Sequence, residues 1–144
     1  MDHICYRTRT QAEYNTVKTE LESIGTLLVE SNIGGRLIST YRLAEALDVS
    51  LPKQGVSVQL CVVEIPSPKL HSKRDYPAGL EHVEFVVPSL AELETRFPNL
   101  QWDKTGLKKE TNADLRLDFD GFSVKFHEQP LEKVIEQELL ARRY

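Results

Sequence analysis

Three of the chain's four histidines and one glutamate fall where a strand pattern turns them to the same side. In "EHVEFVV", Val83, Phe85 and Val87 alternate with His82, Glu84 and Val86. Side chains alternate across a strand, so the apolar set is expected under a helix and His82 and Glu84 opposite it. In "DHICYRT", Ile4 and Tyr6 take the packed face, which leaves His3, Cys5 and Arg7 on the other. In "FSVKFH", Val124 and Phe126 pack, and Ser123, Lys125 and His127 face away. In "VSVQLCVVEI" both faces are largely apolar, and Glu64 is the one charged residue. Imidazole and carboxylate are ligands for zinc, nickel, iron and manganese. With an open coordination position, three or four of them make a Lewis-acid site. His3, Glu64, His82 and His127 are therefore the candidate metal ligands. Arg7 and Lys125 are candidates for gripping an anionic group, with Lys125 also a candidate general acid. Glu84 is a candidate base or ligand-orienting residue.

Each residue alone has an ordinary explanation. A single strand histidine is more often structural, Glu64 fits an exposed strand end, and His127 fits a strand-to-helix junction. Arg7 and Lys125 fit a solvated sheet face, and His71 reads as a solvated residue in a polar stretch. The repeated placement in two halves of the chain favours chemistry.

The elements that position these residues follow from the pattern. Thr10 with Glu13, and Ser89 with Glu92, are capping boxes that start helices. The first helix runs along Tyr14, Val17, Leu21 and Ile24, and Gly25 is expected to end it as a C-terminal cap. "TLLVES" and "RLISTYRL" read as strands joined at Asn32–Gly35. Residues 44–54 read as a loop with a helical turn, and 56–65 as a strand. "PSPKLHSKRDYPAG" reads as a linker. After the second helix come a weak strand near Leu100–Trp102, the strands "ADLRLDF" and "FSVKFH" about the turn Asp120-Gly121, and a helix with Pro130 in its first turn. The expected plan is α+β: module one over 1–65, linker 66–80, module two over 81–129, and a C-terminal helix over 130–144, in one domain of 144 residues. Each module is a βαβββ unit with one sheet face under its helix and the other bare, so two such faces suit a shared cleft. The stripe Leu131, Val134, Ile135 and Leu139 is expected to pack on the helix's own domain.

The chain is 40% hydrophobic and 28% charged with net charge −4. That balance argues against nucleic acid, which needs concentrated basic surface. No apolar run is long enough for a membrane span. The N-terminus lacks the apolar segment of a secretory signal. Cys5 and Cys61 read as buried free thiols of a reducing, cytoplasmic setting.

The two modules resemble the vicinal oxygen chelate (glyoxalase/dioxygenase) superfamily. More closely, "DHICYR", "GRLISTYRL", "VVEIPSPK", "YPAGLEHVEFVV" and "DGFSVKFHEQPLEKVIEQE" resemble the bacterial YecM-like family, over nearly the whole chain in matching order. Family members carry an extra N-terminal helical segment that this sequence lacks. The resemblance implies a divalent-metal-binding protein with ligands from the first and last strands of each module, here His3, Glu64 and His82. The last ligand position, usually a glutamate four residues after the turn glycine, is Lys125. An ammonium has no lone pair to give, so His127 is expected to substitute or three ligands to suffice. The set His3, His82 and Glu64 also matches non-haem iron chemistry. The implied activity is that of an isomerase, lyase or dioxygenase on a small, anionic, oxygen-chelating substrate. A small-molecule-binding module without turnover is the alternative, in which Arg7 and Arg42 grip the ligand. The resemblance leaves a homodimer open.

Overall fold

The computed structural model describes residues 1–69 and 77–143. The reading of His71, and the middle of the expected linker, lie outside them. The chain divides into a first unit, His3–Glu81, and a second unit of Met1–Asp2 with His82–Tyr144.

The first unit opens with β1 (His3–Arg7) and α1 (Gln11–Ile24), followed by β2 (Gly25–Ile33), β3 (Arg36–Leu51) and β4 (Val56–Pro66). Thr10 caps α1, its hydroxyl accepting from the Glu13 N–H at 3.1 Å. The Glu13 carboxylate reaches back to the Arg9 N–H at 2.9 Å, so two amides that the helix leaves open are satisfied. The strand order is β2-β3-β4-β1, with β1 parallel to β4 and the other pairs antiparallel. Helix α1 lies on the face that carries Ser39 and Tyr41. The Tyr14 hydroxyl is 2.7 Å from Ser39 Oγ and 3.0 Å from Glu30 Oε2, and the Tyr41 hydroxyl donates to Glu22. Lys18 pairs with Glu30 at the same place.

Two expectations change here. Gly25 does follow α1, but its backbone is extended, at φ −162°. It is not a left-handed cap. A Cβ there would stand 2.4 Å from the Arg42 carbonyl oxygen, so the close approach of β3 is what requires glycine. The loop expected at 44–54 is strand as far as Leu51. After a bulge between Arg42 and Leu47, β3 and β4 continue as a two-stranded arm closed by Pro52–Gly55. Its register puts Leu47, Val49, Leu51, Val56, Val58 and Leu60 on one face. Pairing with β4 makes Leu47–Leu51 strand, and Ala44-Glu45-Ala46 form the bulge before it.

The second unit contains β5 (Gly79–Val86, from His82 on), α2 (Leu90–Arg96), a 3-10 helix (Thr105–Lys108), β6 (Asp114–Asp118), β7 (Ser123–His127) and α3 (Leu131–Ala141). Ser89 caps α2 by accepting from the Glu92 N–H at 3.2 Å. The order is β5-β7-β6, with β5 parallel to β7 and β6 antiparallel to it. The first strand thus runs parallel to the last, as in the first unit. The strand expected at Leu100–Trp102 does not form. The chain makes only an isolated bridge, Asp103 to Arg116, and then the 3-10 turn. Trp102 is used otherwise: its ring packs edge-on to Phe126, which stacks on Phe85, and its Nε1–H donates to the Phe97 carbonyl. The turn at Asp120-Gly121 forms as expected, with Gly121 at φ +84°. Pro130 occupies the cap position of α3, and the next amide, Leu131, donates to Asp2 Oδ2 at 3.0 Å. Val134 and Ile135 are buried, as the apolar stripe predicts, while Leu139 is exposed. No helix among the described residues is long and apolar enough to cross a membrane.

Candidate metal centre

In the second unit the aromatic cluster claims one face of the sheet, Phe85 with Phe126 and Trp102. The alternation then fixes the other face. In register, His82 lies beside Ser123, Glu84 beside Lys125 and Val86 beside His127 on the parallel pair. Asp114 lies beside His127 and Arg116 beside Lys125 on the antiparallel pair. The face is strongly polar, yet its centre is dry: His82, Glu84 and His127 are 7%, 6% and 5% exposed. The flanking apolar residues Val83 and Phe85 are less buried than these three. A solvated face, the ordinary explanation for such charges, does not apply to them.

Glu84 stands between the two imidazoles. His82 Nε2 is 2.9 Å from Glu84 Oε1, and His127 Nε2 is 2.5 Å from Glu84 Oε2. Neither ring nitrogen of His127 makes a hydrogen bond among the described residues, because its approach to the carboxylate lacks the alignment of one. A ring lone pair and a carboxylate oxygen at these separations repel unless positive charge lies between them. Protons on the rings or a metal ion supply it. The two imidazoles take different oxygens of one buried carboxylate, and imidazole and carboxylate are both donors that a divalent ion accepts. Sequence reading placed Glu84 as a base or ligand-orienting residue, and the structure sets its carboxylate within 2.9 Å of both imidazoles.

Other groups frame this set. Asp114, buried next to His127 in register, is held by Lys109 at 2.6 Å. Gly106 leaves room for that carboxylate, since a Cβ there would meet Asp114 Oδ1 at 2.1 Å. The sequence reading did not single out Asp114, although the alternation with Leu115 and Leu117 was enough to place it opposite the apolar face. Lys125 is half-buried and next to Glu84 in register.

In the first unit, His3, Cys5 and Glu64 occupy the face opposite α1. Cys5 is in register with Glu64, and Glu64 with Thr40, whereas Ser39 and Tyr41 belong to the helix side. His3 and Cys5 are 1% and 2% exposed. Burial pushes the Cys5 thiol far above its ordinary pKa, and the charge and hydrogen bond of Glu64 push it further. Arg7 donates from Nε to the Pro77 carbonyl at 2.7 Å, which commits one edge of its guanidinium to the backbone. Arg42 is exposed. Both cysteines are free; Cys5 is buried and Cys61 partly so.

Among known proteins, Protein YecM of Escherichia coli (strain K12) is 27% identical over 154 residues, covering 95% of this chain and 77% of that protein. The solved structure described as "Structural Genomics, Protein EC4020" superposes with a TM-score of 0.72 at 26% identity, covering 95% of this chain and 75% of that one. A mutant of the fosfomycin resistance protein FosX from Listeria monocytogenes, complexed with Mn(II) and a dihydroxypropylphosphonic acid, aligns at a TM-score of 0.30 and 12% identity, too slight a likeness to bear on this chain. The family model described as "YecM protein" matches residues 1–120, and the chain belongs to that family.

Proposed function

We propose that this chain binds a divalent metal ion and acts through it on a small, anionic substrate that presents two neighbouring oxygens. The observation that carries the reading is the buried convergence of His82 and His127 on Glu84. His82 and Glu84 would hold the ion, with His127, at the other carboxylate oxygen, a further candidate. His3 and Glu64 are further candidates, at positions where the sequence resemblance to vicinal oxygen chelate proteins implies ligands. The ion would supply Lewis acidity toward the substrate's paired oxygens and stabilise an enolate or oxyanion. Lys125, next to Glu84, offers a cation for the substrate's anionic group or a proton for a leaving oxygen. Arg7 offers a second cation for the same anion. Isomerase, lyase and dioxygenase chemistry all use such a site, and zinc, nickel, iron and manganese all accept these ligands.

The test is metal content. Protein purified without a His-tag or chelator, and then soaked with each of the four metals, is expected to hold at least one of them stoichiometrically. No retained metal under any of these conditions sinks the reading.

One observation favours a second reading, binding without turnover. Lys125 is a cation in register beside a donor carboxylate, at a position where the resembling enzymes carry a glutamate. On that reading metal and ligand bind, and the ligand is recovered unchanged after long incubation; any turnover excludes it.

A further inference from the structure

Cys5 has no place in the ligand set above, and its surroundings are odd for a structural thiol. It is 2% exposed, on β1, paired with β4 in the first unit. It is next to the Glu64 carboxylate on the parallel neighbour, with the Sγ and carboxylate oxygen within 4.8 Å and hydrogen-bonded. His3, two residues earlier on the same face, adds an imidazole that is itself 1% exposed. A thiol, a carboxylate and an imidazole on one buried sheet face suit a cation better than they suit each other. Donors on one tetrahedral ion stand roughly 3.5 Å apart, given metal–ligand bonds of about 2.0–2.3 Å. The Cys5–Glu64 spacing is compatible with that.

Resting on the metal-binding reading above, we infer that Cys5 is a thiolate ligand alongside Glu64, which makes the chain selective for thiophilic divalent ions such as zinc and cobalt over manganese and magnesium. On binding, the thiol proton leaves to solvent and the sulfur–metal bond takes its place.

Cobalt(II) reports the ligand directly. The full-length chain, stripped with chelator and kept reduced, is titrated with cobalt(II) and followed by absorption. The expected result is a visible ligand-field spectrum together with a near-ultraviolet sulfur-to-cobalt charge-transfer band. Cys5→Ser should abolish that band and weaken cobalt binding by about tenfold or more. Cys61→Ser should leave it intact, since Cys61 alternates to the opposite face from Glu64. A ligand-field spectrum without the charge-transfer band, or a band that survives Cys5→Ser, overturns the role of Cys5 while metal binding stands. No cobalt spectrum at all overturns both. If Cys5→Ser fails to fold, the wild-type and Cys61→Ser spectra still decide the matter.

Discussion

Replacing Gly25 separates two reasons for a glycine at the end of a helix. A left-handed cap needs freedom at φ and tolerates asparagine nearly as well as glycine. A close backbone approach needs empty space and tolerates neither alanine nor asparagine. The structure gives the second reason: φ is −162°, and an added Cβ would be 2.4 Å from the Arg42 carbonyl oxygen and 3.1 Å from its carbon. A comfortable carbon–oxygen contact is about 3.3 Å, so β2 and β3 must separate by roughly 1 Å at this point. The pairs Gly25–Leu43 and Thr26–Arg42 lie at that end of the ladder. Losing two of their hydrogen bonds costs about 1 kcal/mol each, and residual overpacking adds about 1–2 kcal/mol. Gly25→Ala and Gly25→Asn are both expected to lose about 3–4 kcal/mol in urea denaturation, a fall of roughly 9–16 °C in Tm for a chain of this size. Either variant within about 0.5 kcal/mol of wild type refutes the close-approach argument, and a loss confined to alanine points back to a left-handed cap.

Two further predictions concern the joint between α1 and the sheet. Tyr14→Phe removes a buried hydroxyl but leaves Ser39 bonded to Glu30 at 2.7 Å, so the expected loss is about 1–2 kcal/mol, read by the same denaturation. Glu30 gives a pH dependence. The Lys18 ammonium, and then the Ser39 hydroxyl, lower its pKa from the ordinary 4.5 to about 2. A lowered folded-state value means the stabilisation is fully present above pH 4.5 and is lost as pH falls toward 2. With partial solvent screening it is about 1 kcal/mol. The gap in stability between wild type and Glu30→Gln should therefore be constant at neutral pH and close over that window; a gap independent of pH contradicts the assignment.

The sequence made local features legible where the residues act on their immediate neighbours. Both capping boxes form, the Asp120-Gly121 turn forms, and the two-residue alternation put His82, His127 and Lys125 on one sheet face. What it hid depends on partners distant in the chain. Leu47–Leu51 follow a stretch of weak strand propensity and become strand because β4 pairs with them beyond the bulge. Leu100–Trp102 looks extended, but Trp102 is drawn into the Phe85–Phe126 cluster and leaves only a bridge behind. Alternation also fixed faces without fixing burial. It put Glu84 on the right side but could not tell a solvated base from a dry carboxylate between two imidazoles, which takes the parallel register of β5 on β7 to see. Cys5 beside Glu64 was hidden for the same reason, since 59 residues separate them and only the pairing of β1 with β4 brings them together.

The most direct measurement is calorimetric titration of the chelator-stripped protein with zinc, wild type against Glu84→Gln, which keeps the shape and removes the charge. If Glu84 is the shared carboxylate of the metal centre, affinity falls by about a hundredfold or more while the thermal unfolding of the metal-free variant stays cooperative. Zinc affinity unchanged within about threefold (roughly 0.65 kcal/mol) would contradict the account: Glu84 would then only neutralise two buried histidines.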